Sequence, residues 1–209
     1  MNILAIDTTT KTASVSIKKD NKIFIDKTNN EVTHSEKLLP LIDKVLTSSN
    51  TTLKSIQKLA CINGPGSFTG IRIGLATIKA LSQVQNIDIF SIDSLELIAA
   101  ITFYKNEFDN IVSIISTNND RVYYCIYSIE KIKNNNLESV CVTGNCINNF
   151  SNELNNLNCK LFDFYPDTND CINAYSYIND ISKYTFNAYT LNATYARPSQ
   201  AERMKNGTN

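Results

Sequence analysis

Residues 63 to 81 read NGPGSFTGIRIGLATIKAL, and no other stretch limits the fold so closely. Gly64, Gly66 and Gly70 open backbone conformations closed to other residues, Pro65 fixes one φ angle, and Ser67 or Thr69 is placed to cap a helix. Ile71, Leu75, Ile78 and Leu81 then recur at three- and four-residue spacing, the apolar face of that helix. The preceding KLACIN (58–63) is a short apolar strand, so strand, tight turn and helix succeed one another here. Such a turn offers backbone amides at a helix N-terminus, where an anion is favoured, or it is simply a structural cap. Gly70, Gly74 and Thr77 fall on a second stripe of the helix. Glycine in a helix interior costs about 1 kcal/mol relative to alanine. Gly74 therefore calls for a close neighbour, either inside the chain or on a partner.

Upstream, NILAID is an apolar run and TASVSIK and KIFIDKT alternate apolar with polar residues, which predicts a three-strand meander over 2–28 with breaks at 8–11 and 20–21. Leu38, Leu39, Ile42, Val45 and Leu46 then predict a helix from Ser35 to near Ser48, starting just before Pro40 or bending there. IFSID (89–93) reads as a strand, after which Asp93 or Ser94 caps a helix carrying Leu95, Ile98 and Ala99. NIVSIIST (110–117) and RVYYCIYSI (121–129) read as strands of a second, smaller lobe, joined by the turn 118–120. Later signals are weaker: CVTGNC as a strand running into a turn, and a helix over 173–183. The order is that of a layered α/β protein, without an internal sequence repeat.

Lys plus Arg and Asp plus Glu both number 20, so no bulk field draws in a nucleic-acid backbone. Six cysteines form no CxxC pair, which predicts reduced thiols rather than a disulfide or zinc framework. Without a long apolar run or a leader-like start, the expected location is the cytoplasm, away from the membrane. The frequent asparagines, as at 134–136, read as compositional drift.

The first strand ends in Asp7-Thr8-Thr9, a carboxylate and two hydroxyls that could face a phosphate or bond their own backbone. His34, the single histidine, is expected to bond locally at a helix start and cannot build a paired-histidine metal site. No G-x-S-x-G elbow or Walker-type loop is present. Tyr123, Tyr124 and Tyr127 could stack bases, but at alternating spacing they suit the two faces of a sheet better.

MNILAIDTT, HSEKLLPLIDKVL, NGPGSFTGIRIGLATIKAL and IDSLELIAA, in this order within the first 100 residues, resemble the successive hallmark segments of the TsaB family of bacterial tRNA-modification proteins. The resemblance implies the actin-like and Hsp70-like (ASKHA) ATPase fold, with two lobes built on mixed sheets. The expected division is an N-terminal lobe over 1–103, a smaller diverged lobe over 104–190 and a tail over 191–209 that returns to the first lobe. It further implies a non-catalytic subunit that activates a TsaD-type partner in threonylcarbamoylation of the adenosine beside the anticodon. A TsaE-type ATPase joins the pair, and tRNA is met through the complex. TsaD-type proteins carry a histidine-pair metal motif, which a chain with one histidine lacks, so no metal and no catalytic residue are expected.

Carried over by position, the partner interface comprises Leu38, Leu41, Ile42 and Val45 with Gly70, Gly74 and Thr77. Through the same helices two copies of this chain could pair. Asp7 and Thr8 are the candidate nucleotide contacts, with ATP or ADP at the partner boundary and no cofactor of the chain's own. The second half departs from the family pattern at Ser116-Thr117-Asn118 and Gly144-Asn145-Cys146, whereas TYARPSQAE (194–202) resembles the family's ending. The alternative reading is a stand-alone ATPase or phosphotransferase using Asp7 and the backbone near Gly66.

Overall fold

A computed structural model describes residues 1–28, 34–105, 110–116, 121–128, 140–145, 159–163 and 165–195. The meander forms as expected: β1 (Ile3–Asp7), β2 (Ser14–Lys19) and β3 (Lys22–Lys27) pair antiparallel in sequence order. After helix α1 (His34–Ser48), β4 (Lys58–Ile62) lies parallel to β1. After α2 (Phe68–Gln85), β5 (Ile89–Ile92) lies parallel to β4. Pro40 sits inside α1 rather than at its start. Ser67 is the cap of α2, its side chain accepting from the Gly70 amide, and Asn86 ends that helix in a left-handed conformation.

Helix α3 (Ser94–Lys105) leads to the second sheet, in which β6 (Asn110–Ser116), β7 (Arg121–Ser128) and β8 (Val140–Asn145) form another antiparallel meander. There β9 (Cys159–Asp163) lies parallel to β6. The order β8-β7-β6-β9 therefore repeats β3-β2-β1-β4 of the first sheet. The duplication exists in topology although the sequence shows no repeat. Of the β6–β7 connection, the predicted turn at 118–120 lies outside the described residues, as do Cys146 and the tail beyond 195.

Residues 165–190, expected in the smaller lobe, lie on the first sheet instead. Helix α4 (Thr168–Tyr177) starts at a capping box made by Asp167 and Asp170, five residues before the predicted start. It covers β1 and β4, and β10 (Thr185–Phe186) adds antiparallel to β5. The periodicity within 168–177 is weak because the helix buries Thr168, Cys171, Ile172 and Ala174, of which Ile172 alone is a large aliphatic.

The first sheet is thus the middle of three layers. On one face Leu4, Ile6, Val15, Ile17 and Leu59 meet Leu38, Ile42 and Val45 of α1 and Ile71, Leu75 and Ile78 of α2. On the other, Ile3, Ala5, Ala60 and Phe90 meet Leu97 and Ile101 of α3 and Ile172 of α4. α3 also packs Leu95, Ile98 and Ala99 against Ile111, Ile115 and Tyr127 of the second sheet. Apolar on both sides, it is wedged between the lobes. Tyr124 and Tyr127 are buried on opposite faces of β7, which rules them out as a stacking platform. Among the described residues no helix is long and apolar enough to cross a membrane.

Candidate functional site

The end of β1, the glycine-rich turn and the starts of α1 and α2 converge on one spot. Asp7 is buried at the last position of β1, and its Oδ1 accepts from the Thr9 amide at 2.8 Å and the Thr9 hydroxyl at 2.7 Å. This bends the chain into a short loop over 8–12, as the self-bonding alternative for Asp-Thr-Thr requires. Burial pushes the Asp7 carboxyl up to about 6, against the pull of those two bonds. Thr8, also buried, donates its hydroxyl to the Gly70 carbonyl at 2.6 Å.

The glycines of α2 have their reason in this loop. A Cβ at Gly70 would stand 1.9 Å from the Thr8 carbonyl oxygen, and one at Gly74 would stand 2.3 Å from the Thr8 hydroxyl. The Ser67 amide donates to the Thr9 carbonyl at 2.6 Å, and a Cβ at Gly66 would fall 2.2 Å from that same oxygen. Behind the turn, Ser94 donates its amide to Gly64 and its hydroxyl to Pro65, while the Thr194 amide donates to Asn63 at 2.8 Å. The turn is therefore knitted into its own chain on three sides. Two of its amides, those of Ser67 and Gly70, already have acceptors in the Thr9 carbonyl and the Ser67 hydroxyl.

His34 joins the same cluster from α1. Its Nε2 donates to the Thr10 carbonyl at 2.9 Å, and its ring lies over Gly70. The expected local bond is thus a tertiary one, reaching 24 residues back to the loop. Two further residues stood outside the expected site. Asp93 caps α3 by accepting from the Leu95 and Glu96 amides, both at 2.8 Å, and burial raises its carboxyl to about 6. Asp167 caps α4 and pairs with Lys27 at 2.6 Å. Asp93 carries a readable sequence signal as a cap, and so does the Asp167–Asp170 spacing.

The structure corrects most of the expected interface. Leu38, Leu41, Ile42 and Val45 are 1%, 7%, 2% and 1% exposed, filling the core beneath α1. Gly70 and Gly74 are buried against Thr8. Thr77 alone remains half-exposed, its hydroxyl donating to the Ile73 carbonyl at 3.0 Å. Other positions of the helix pair face outward, among them Leu39, Pro40 and the charged Lys37, Asp43 and Lys44 on α1, and Arg72, Ala76, Ala80 and Val84 on α2. Thr8, named as a nucleotide contact, has its hydroxyl engaged on Gly70. Among the described residues no group of three or more His, Cys, Asp or Glu is placed to hold a metal ion.

A family model described as "TsaD: tRNA N6-adenosine threonylcarbamoyltransferase" matches residues 28–183, well over half the chain. The chain belongs to the TsaB/YeaZ-like branch of that family. A "tRNA threonylcarbamoyladenosine biosynthesis protein TsaB" of Buchnera aphidicola is 36% identical over 135 residues, 65% of this chain and 62% of its own. The protein of that name from Escherichia coli is 32% identical over 127 residues, 61% of this chain and 55% of its own. The match thus spans less than two thirds of these relatives. A Pseudomonas aeruginosa crystal structure, titled as a protein with similarity to peptidase YeaZ, superposes with a TM-score of 0.70 at 17% identity. It covers 94% of this chain and 99% of its own, so the two share a fold, and together with the match to the TsaD family model this is the ASKHA-type α/β fold.

Proposed function

We propose that this chain is a non-catalytic subunit of the machinery that makes threonylcarbamoyladenosine in tRNA, and that it acts by docking on a TsaD-type catalytic subunit. Membership of the TsaB/YeaZ-like family supports the pathway. The observation that carries the docking role is the outer stripe of α2. Ala76, Thr77, Ala80 and Val84 follow one another at helical spacing without a charge, and Val84 is 82% exposed. Small residues at these positions let a second helix approach closely, and Leu39, 60% exposed, lies with Pro40 on the neighbouring helix. The face offered to the partner therefore flanks the glycine stripe, with Thr77 at their shared edge.

The nucleotide-responsive part of the assembly then belongs to the partner or to the boundary, because Thr8 and the glycine turn are engaged with each other. A TsaE-type ATPase and tRNA are met through the complex. The test is reconstitution of this chain with its cognate TsaD-type and TsaE-type proteins, tRNA and a threonylcarbamoyl-adenylate donor. Modification is expected to depend on this chain and to be lost with Ala76→Arg/Ala80→Arg while folding is retained. Full modification without the chain would overturn the reading. Unimpaired copurification of the double variant would overturn the assigned face.

A further inference from the structure

A second polar cluster lies on the opposite face of the first sheet, under the first turn of α4. Across β3, β2 and β1 one row reads Lys27, Ser14, Asp7, each directly opposite the next, and Ser16 stands one step along β2 opposite Ala5. Ala5 belongs to the apolar cluster that meets α4. Side chains two apart on a strand share a face, so Asp7, Ser14 and Ser16 point to the α4 side as well. From above, Thr168 is wholly buried at the first position of α4, and its neighbour Asp167 reaches down to Lys27 at 2.6 Å.

The hydroxyls of Ser14, Ser16 and Thr168, on residues 3%, 0% and 0% exposed, have no hydrogen-bond partner. One orphaned hydroxyl is an ordinary imperfection, but three beside one buried carboxyl form a set of oxygens with nothing to bind. Both hydrogen bonds to Asp7 fall on Oδ1. Asp167 is already committed, Oδ1 to the α4 amides and Oδ2 to Lys27. The uncommitted donors are therefore hard oxygens carrying a single negative charge. That suits neither a transition metal, which prefers imidazole or thiolate, nor calcium or magnesium, which are usually held by more carboxylate oxygens and water.

We propose that this slot binds a monovalent metal cation, sodium or potassium, through Asp7 and the hydroxyls of Ser14, Ser16 and Thr168, and that the ion fastens α4 to the sheet. The site is separate from the docking face of α2 and does not depend on the proposed function. Thermal unfolding of the full chain tests it, with sodium or potassium chloride titrated against choline chloride at constant ionic strength. The metal cation is expected to raise the Tm by about 5–10 °C at a hundredfold excess over its Kd. Ser16→Ala and Thr168→Val are expected to keep or raise the Tm in choline, since each removes an orphaned hydroxyl, and to abolish the difference between metal and choline. A thallium(I) soak should place an anomalous peak among the four residues. Superimposed curves in choline, sodium and potassium, a shift that survives in Ser16→Ala, stabilisation by divalent ions only, or a soak without that peak would each overturn the proposal.

Discussion

Replacing Gly74 by alanine should destabilise the wild-type protein and stabilise one that lacks the Thr8 side chain. In isolation the change favours the helix by about 1 kcal/mol, since glycine is the poorer helix former. In the folded chain the new methyl would stand 2.3 Å from the Thr8 hydroxyl, whereas its next contacts, the Thr8 Cβ and Cγ2, lie at 3.5 and 3.7 Å. The hydroxyl must therefore turn away and give up its 2.6 Å bond to the Gly70 carbonyl in a site that water does not reach. An orphaned buried hydroxyl costs about 1–3 kcal/mol, and crowding of a packed interior about as much again. After the helix gain is subtracted, Gly74→Ala should lose about 1–5 kcal/mol. In a Thr8→Ala background the obstructing atom is gone and the remaining Cβ contact is an ordinary one. There the same change should gain up to about 1 kcal/mol, a coupling of roughly 2 kcal/mol or more. Urea unfolding of the four proteins in the cycle measures it. Equal effects of Gly74→Ala in both backgrounds would refute the claim that the glycine exists for Thr8.

Other outcomes follow from the same contacts. Leu38→Ala should lose about 2–5 kcal/mol in urea unfolding, because Leu38 is 1% exposed within the core, and any weaker copurification with the partner should track the folded fraction. Asp7 and Asp93 give the protein a defined response to pH. A carboxyl raised from 3.8 to about 6 by burial is stabilised as the neutral acid on folding, so its contribution is full below the unfolded value and is lost as pH rises through 6. For Asp7 the full swing is about 3 kcal/mol. Asp7→Asn, followed by unfolding in choline buffers from pH 4 to 7.5, should flatten that decline, and an unchanged slope would contradict the assignment. Tyr195→Ala should cost about 1 kcal/mol in the same assay. It removes the 4.6 Å stack on Phe68 and the partner of Arg72, whose guanidinium also lies over the Phe68 ring.

What the sequence made legible was local. The alternation of β2 and β3, the apolar stripe of α1 and the cap at Ser67 each depend on residues within a turn or two of one another. What it hid was set by approach from a distance. β10 pairs only Thr185 and Phe186 with β5, too short a stretch to carry a period, and the α4 cap precedes residues that bury little aliphatic surface. The helix pair shows the difference most sharply. Leu38, Ile42 and Val45 could be read as one buried face, but periodicity does not say whether the neighbour that buries it is the chain's own sheet or another protein.

The same ambiguity governs the glycine stripe, and there it changes the functional argument. A glycine in a helix states that something comes close, without naming it. Here the visitor is the loop at 8–12, held by Asp7 and locked by Thr8 and by His34 on Thr10. Because that loop spends its hydroxyl and carbonyl groups on α1 and α2, it fixes the two helices relative to one another with groups that a phosphate-binding loop would keep free. The rigidity passes to the neighbouring face, where Ala76, Ala80 and Val84 stand exposed on a helix that cannot easily shift. A rigid, close-approach surface loses less conformational freedom on docking, so loosening the loop should weaken partner binding without touching the interface. Thr8→Ala measures this by calorimetric titration with the TsaD-type subunit at a temperature where the variant is fully folded. A several-fold weaker Kd is expected, with an increased entropic penalty. An unchanged affinity would show that the loop supports the fold alone.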